Sequence, residues 1–159
     1  IASGGEDWKT EFRRFTQKRE NYTDSLILLS SGFYSGISPE KAGMSPELWE
    51  KASFEIRRYH ELTHFVYRKC CPGDVDVIRD EVLADCVGLC AALDRYDARL
   101  ARIFLGIENG ALLPNARLRH YVPEEMLPQA VEKAELWIGW LDRILKGIPD
   151  LSRRQRDFL

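Results

Sequence analysis

Long apolar runs are missing from this chain of 159 residues. The longest, Cys86–Leu93, is interrupted only by Gly88 and falls well short of the roughly 20 residues that a membrane-spanning helix needs. No membrane association is therefore expected. A charge excess is missing too: 23 Lys and Arg face 25 Asp and Glu, a formal net charge of −2, so no basic field would draw nucleic acid or anionic lipid. Low-complexity tracts are absent, and 45% hydrophobic with 30% charged residues is the composition of a folded globular protein. Cysteine is scarce, with Cys70, Cys71, Cys86 and Cys90 alone, and a chain this long needs no disulfide staples, so the four read as reduced thiols. The amino end, at Ile1, shows no basic stretch followed by an apolar one. Together with the thiols this leans the expected location toward the cytoplasm. The length suits one domain spanning 1–159, with 1–5 and 152–159 as loose ends.

What the chain has in abundance is helical periodicity. Trp8, Phe12 and Phe15 recur at three- and four-residue spacing and predict an amphipathic helix from Asp7 to Arg19. A short apolar stretch, Asp24–Gly32, leads into a loop that lasts to about Met44. Ser45 then offers an N-cap with Pro46 at the first helical position, and nothing breaks the helix before Pro72 and Gly73. Asp74 can cap the next helix, which runs through Val82 and Leu89 to about Leu93, and another covers Tyr96–Ile107. Ala111–Val122 alternates Leu118, His120 and Val122 with Arg117, Arg119 and Tyr121 and is the one segment that reads as extended. Pro123 opens a last long helix ending near Gly147. The expected fold is all-α: five or six helices in one domain.

The chain has only three histidines, and two of them stand in the string His60, Glu61, Leu62, Thr63, His64, an HExxH within the central helix. Histidines at i and i+4 project from one helical face a turn apart and can reach one ion, while the intervening Glu61 is turned by about 100° and can address a water on that ion. A third ligand is needed, and Glu81 is the candidate. If the central helix ends near Cys70 and the next begins near Asp74, His64 lies about 9 Å before the turn and Glu81 about 10 Å after it, so an antiparallel hairpin sets them level. On the helical wheel Asp85, Gly88 and Ala92 fall within about 40° of Glu81. Gly88 costs about 1 kcal/mol of helix propensity against Ala, which makes sense if the facing helix comes close. Cys86 and Cys90 point away from Glu81 and read as small buried hydrophobes.

HExxH followed on the next helix by Glu81 and Asp85, in the string DEVLAD, resembles the gluzincin branch of the zincin metallopeptidases. The resemblance implies zinc held by His60, His64 and Glu81, Glu61 as general base, and Asp85 behind a ligand imidazole. A ligating histidine commonly donates its other ring N–H to such a carboxylate, which fixes its tautomer. Zincin peptidases also place a downstream His, Tyr or Arg to stabilise the oxyanion. The candidates are His120, Tyr121 and Arg119, with Tyr121 and His120 preferred. Such enzymes hold an extended peptide against an edge strand, and no clear strand precedes His60, so substrate binding stays unassigned.

The expected function is therefore a zinc-dependent hydrolase acting on a peptide or protein, with no nucleic acid or membrane partner. One alternative is a non-catalytic metal-binding helical interaction domain. Another is a di-iron bundle, since Glu61 to His64 spells ExxH, but no other glutamate is followed three residues later by histidine.

Overall fold

Two helices joined by a short turn carry most of the architecture. In the computed structural model, which describes residues 7–18, 26–73 and 76–146, α3 (Pro46–Cys70) begins where the Ser45 hydroxyl accepts from the Leu48 amide at 3.3 Å, and it runs 25 residues. α4 (Val77–Leu93) follows. Its cap is Asp76, whose side chain accepts from the Arg79 amide at 3.2 Å, and not the expected Asp74, which lies outside the described residues. The two helices are antiparallel: Glu81, Asp85 and Gly88 on α4 meet His64, His60 and Ile56 on α3 in reverse order. A Cβ on Gly88 would stand 2.7 Å from the Ile56 carbonyl oxygen, so the close approach expected from Gly88 is present.

The remaining elements are α1 (Trp8–Gln17), α2 (Pro39–Ala42), α5 (Ala98–Leu105), β1 (Ile107–Glu108), β2 (Ala111–Leu112) and α6 (Leu127–Lys146), of which α2, α5 and α6 pack on the pair. One apolar core joins Trp49 and Ile56 of α3, Val82 and Leu89 of α4, Leu100 and Phe104 of α5 and Ile138 of α6. The fold is mainly α, as expected. α1 buries none of its residues, and Trp8 stays 70% exposed. No helix among the described residues is long and apolar enough to cross a membrane.

Other boundaries also depart from the sequence reading, and the loop expected to last to about Met44 holds a 3-10 turn at Tyr34–Gly36 and the short α2. The helix expected over Tyr96–Ile107 is shorter, since Asp97 caps it by accepting from the Arg99 and Leu100 amides and Gly106 ends it. The expected strand Ala111–Val122 is extended only at Ala111–Leu112, which pairs with β1 across an Asn109–Gly110 turn of positive φ. Arg117–His120 is instead a 3-10 turn, because Leu118 and Tyr121, three residues apart, both pack inward: period three won over period two. The last helix starts at Leu127, after a 3-10 turn at Glu124–Met126, rather than at Pro123.

Candidate metal centre

The helical period brings His60 and His64 to one face of α3 with their Nε2 atoms 3.1 Å apart. From α4, Glu81 sets Oε2 3.5 Å from His60 Nε2 and Oε1 3.3 Å from His64 Nε2. One ligand atom from each of the three lies within 4.8 Å of the others. Tetrahedral zinc bonds of 2.0–2.1 Å place neighbouring ligand atoms about 3.3 Å apart; the histidines face different oxygens of Glu81, and a small turn of that carboxylate would bring one oxygen to both, so the three residues could hold the ion. Two imidazole nitrogens and a carboxylate oxygen also make a donor set that suits zinc, and three protein ligands leave a position open. His60 is 6% exposed and Glu81 9%, so the donors sit at the bottom of the surface rather than on it.

Behind the ligands is a buried polar network. Asp85, 1% exposed, places Oδ1 3.0 Å from His60 Nδ1, so the N–H on that nitrogen leaves Nε2 as a bare acceptor facing the centre. The resemblance implied this position for Asp85. The sequence reading missed Tyr34, whose hydroxyl donates to Asp85 Oδ1 at 2.7 Å and lies 2.9 Å from His60 Nδ1. Its backbone N–H donates to the Ser53 hydroxyl at 2.9 Å, which pins the loop to α3. Also missed was Arg117. It pairs with Asp85 Oδ2, donates to the Tyr34 and Ser35 hydroxyls at 3.1 and 3.0 Å, and stands 3.9 Å from Glu81 Oε2. The signal for it was Asp85 itself, since a carboxylate on the core face needs a cation.

The oxyanion candidates are sorted by the 3-10 turn. Tyr121 reaches the site, where its hydroxyl donates to Glu81 Oε2 at 2.7 Å. His120 does not: it is exposed and lines a separate cleft with Lys41 and Glu108. Arg119 turns to Glu124, 2.6 Å away. Glu61 shares with His60 the wall of a cleft that Tyr34, Arg117 and Tyr121 also line.

Charge keeps the network ionised. Burial pushes the Asp85 carboxyl up, but the Arg117 guanidinium and the bonds from His60 and Tyr34 outweigh it and hold Asp85 below the usual carboxylate range. Glu81 follows the same logic: burial raises it, and the bonds from His64 and Tyr121, with His60 and the Arg117 guanidinium nearby, bring it down. The bond to Glu81 raises His64. Burial, with the charge on Asp85, pushes the Tyr34 phenol up, so it stays a donor.

Comparison with known proteins gives one result. No curated protein and no solved structure matches the chain. A family model described as a family of unknown function, DUF7005, matches residues 2–137, a span that includes His60, His64, Glu81, Asp85, Arg117 and Tyr121. With that span out of 159 residues, the chain belongs to the DUF7005 family.

Proposed function

We propose that the protein is a zinc-dependent hydrolase, a small metallopeptidase in which His60, His64 and Glu81 hold the ion and Glu61 is the general base. The observation that carries this reading is the convergence of three ligand atoms within 4.8 Å, from two helices, beside a cleft that Glu61 lines. Zinc, when bound, supplies Lewis acidity toward a carbonyl and brings the pKa of water toward about 7. Glu61 takes the proton of the attacking water and passes it to the leaving amine. Asp85, Tyr34 and Arg117 hold His60 in the tautomer that presents Nε2. Tyr121 orients Glu81 from the cleft wall, and of the oxyanion candidates it alone lies beside the cluster; its single hydroxyl proton is given to Glu81, so donation to an oxyanion would require that bond to be exchanged.

The gluzincin resemblance supports the same assignment, and the four free cysteines support a reducing, cytoplasmic setting. A non-catalytic metal-binding domain is favoured by one observation: among the described residues no strand precedes His60, and residues 26–31 beside the cleft have no helix or strand. The di-iron alternative needs two carboxylate–histidine pairs, and the described residues hold one three-residue cluster. Metal analysis decides between these readings. The wild type is expected to carry one zinc per chain and to hydrolyse a peptide library. Glu81→Ala is expected to lose the zinc, and Glu61→Gln to keep it while losing hydrolysis. Zinc retained in a wild type that cleaves no peptide selects the binding domain, and a folded wild type that takes up no zinc overturns the metal site.

A further inference from the structure

A second cleft, apart from the metal cluster, has no part in the chemistry above. It measures about 460 Å³, a size that takes a small molecule, and none of His60, His64 and Glu81 lines it. Ile103, Phe104 and Leu113 give it an apolar wall. The polar wall carries Ser35, Lys41, Glu108, Asn115, Arg117 and His120.

That polar wall has hydrogen-bonding capacity to spare, and most of it is donor. Ser35 sits in left-handed backbone at φ 51°, an uncommon conformation for a residue with a side chain. Its hydroxyl accepts from Arg117 at 3.0 Å, which leaves its own proton to give. Arg117 uses one terminal nitrogen on Tyr34 and Ser35 and the other on Asp85, while its Nε is buried with no partner. Lys41 pairs with one oxygen of Glu108, and an ammonium has three protons to donate. Asn115 and His120 are exposed and bond to no other described residue. Against these donors the cleft sets a single carboxylate, Glu108.

We infer that this cleft binds a small organic monocarboxylate, its charged end taken by the donors of the polar wall and its apolar body laid on Ile103, Phe104 and Leu113. Lys41 and Arg117 against Glu108 leave one positive charge in excess on the wall, which suits one negative charge rather than the nearly double charge of a phosphate ester. Bonds from several donors to an ionised carboxylate are the strong kind, and the apolar wall adds affinity in proportion to the surface that the body covers.

The probe is 3-phenylpropanoate, titrated calorimetrically into the full chain after a chelator has stripped its metal and been dialysed away, so that no ion takes the carboxylate. One site per chain is expected, with Kd of about 1 mM or below. The uncharged 3-phenylpropanamide should bind at least about tenfold more weakly. Acetate, which has no body to cover the apolar wall, should do the same. His120→Ala with Asn115→Ala should weaken the probe about tenfold without moving the unfolding midpoint, since both side chains are exposed. Glu108→Gln, which removes the cleft's own negative charge, should tighten the probe about threefold. No binding at about 10 mM, equal binding of the amide, or affinity untouched by the double substitution overturns the inference. So does a probe weakened by Glu108→Gln, or phenylalanine binding more tightly than the probe, which would give Glu108 to an ammonium. Each of these readouts is independent of zinc and of hydrolysis, so the hydrolase reading stands or falls separately.

Discussion

Two faces of α4 carry the same spacing and come to opposite ends. Glu81 and Asp85 are separated by one turn on the face toward α3, and Cys86 and Cys90 by one turn on another face. Both pairs consist of residue types that ligate metals. The first pair meets His60 and His64 from the facing helix and becomes a cluster with every carboxylate partnered. The second meets the apolar core: Cys86 is buried, its thiol is pushed up by its bond with Cys90 and by burial, and nearby the Tyr96 hydroxyl is buried without a partner. An i, i+4 pair is thus only half of a site. The other half is a second helix with a matching pair at the same height, and an approach close enough to need Gly88.

The largest expected effect comes from breaking the polar face. Arg117→Met leaves Asp85 buried and unpaired, which costs about 3–5 kcal/mol of stability in urea denaturation. Adding Asp85→Asn should recover part of that loss, and the double-mutant cycle measures the coupling. Zinc affinity of Arg117→Met should fall by about 10- to 100-fold, because His60 loses the support behind Asp85. An unchanged unfolding midpoint would refute the network as drawn.

Gly88→Ala tests the approach of the helices. Its Cβ would press on the Ile56 carbonyl oxygen 2.7 Å away, so about 1–3 kcal/mol of overpacking is expected to outweigh the gain of about 1 kcal/mol in helix propensity. A stabilised variant would mean that α3 and α4 can separate at no cost.

Smaller still is the cap that aims the whole face. Asp76→Ala should cost about 1 kcal/mol. Burial pushes Asp76 up, but Lys133, 2.7 Å away, and the Arg79 amide hold it below its ordinary value. A carboxyl depressed in the folded state stabilises fully above its unfolded pKa, about 3.9, and the contribution disappears as pH falls through the lower folded value. The gap between wild type and Asp76→Ala should therefore close on acidification below about pH 4, which urea melts at several pH values will show. The least effect belongs to the thiol face: Cys86→Ala with Cys90→Ala should leave zinc at one per chain, and metal lost from that variant would abolish the contrast between the two faces.

Much of the site was legible because it depends on regularities of short range. Helical period alone puts His60 and His64 on one face, helical rise alone levels Glu81 with His64 across a short turn, and the same wheel separates Asp85 from the cysteines. The exposed face of α1 shows the limit of that reasoning, since the periodicity of Trp8, Phe12 and Phe15 makes a helix but does not say what covers it. The 3-10 turn shows it again. Nothing local distinguishes Arg117 from Arg119 or Tyr121 from His120, and the choice was made by the inward packing of Leu118 and Tyr121.

By itself, then, the sequence determined the mainly helical fold, the face that His60 and His64 share and the level of Glu81 opposite it, because backbone geometry repeats every few residues. Only the tertiary structure decided that Arg117 and Tyr34, 83 residues apart, close the network. It also decided that Tyr121 enters the site while His120 leaves it. A buried carboxylate must find its cation wherever the fold brings one, and separation along the chain carries no record of which one that will be.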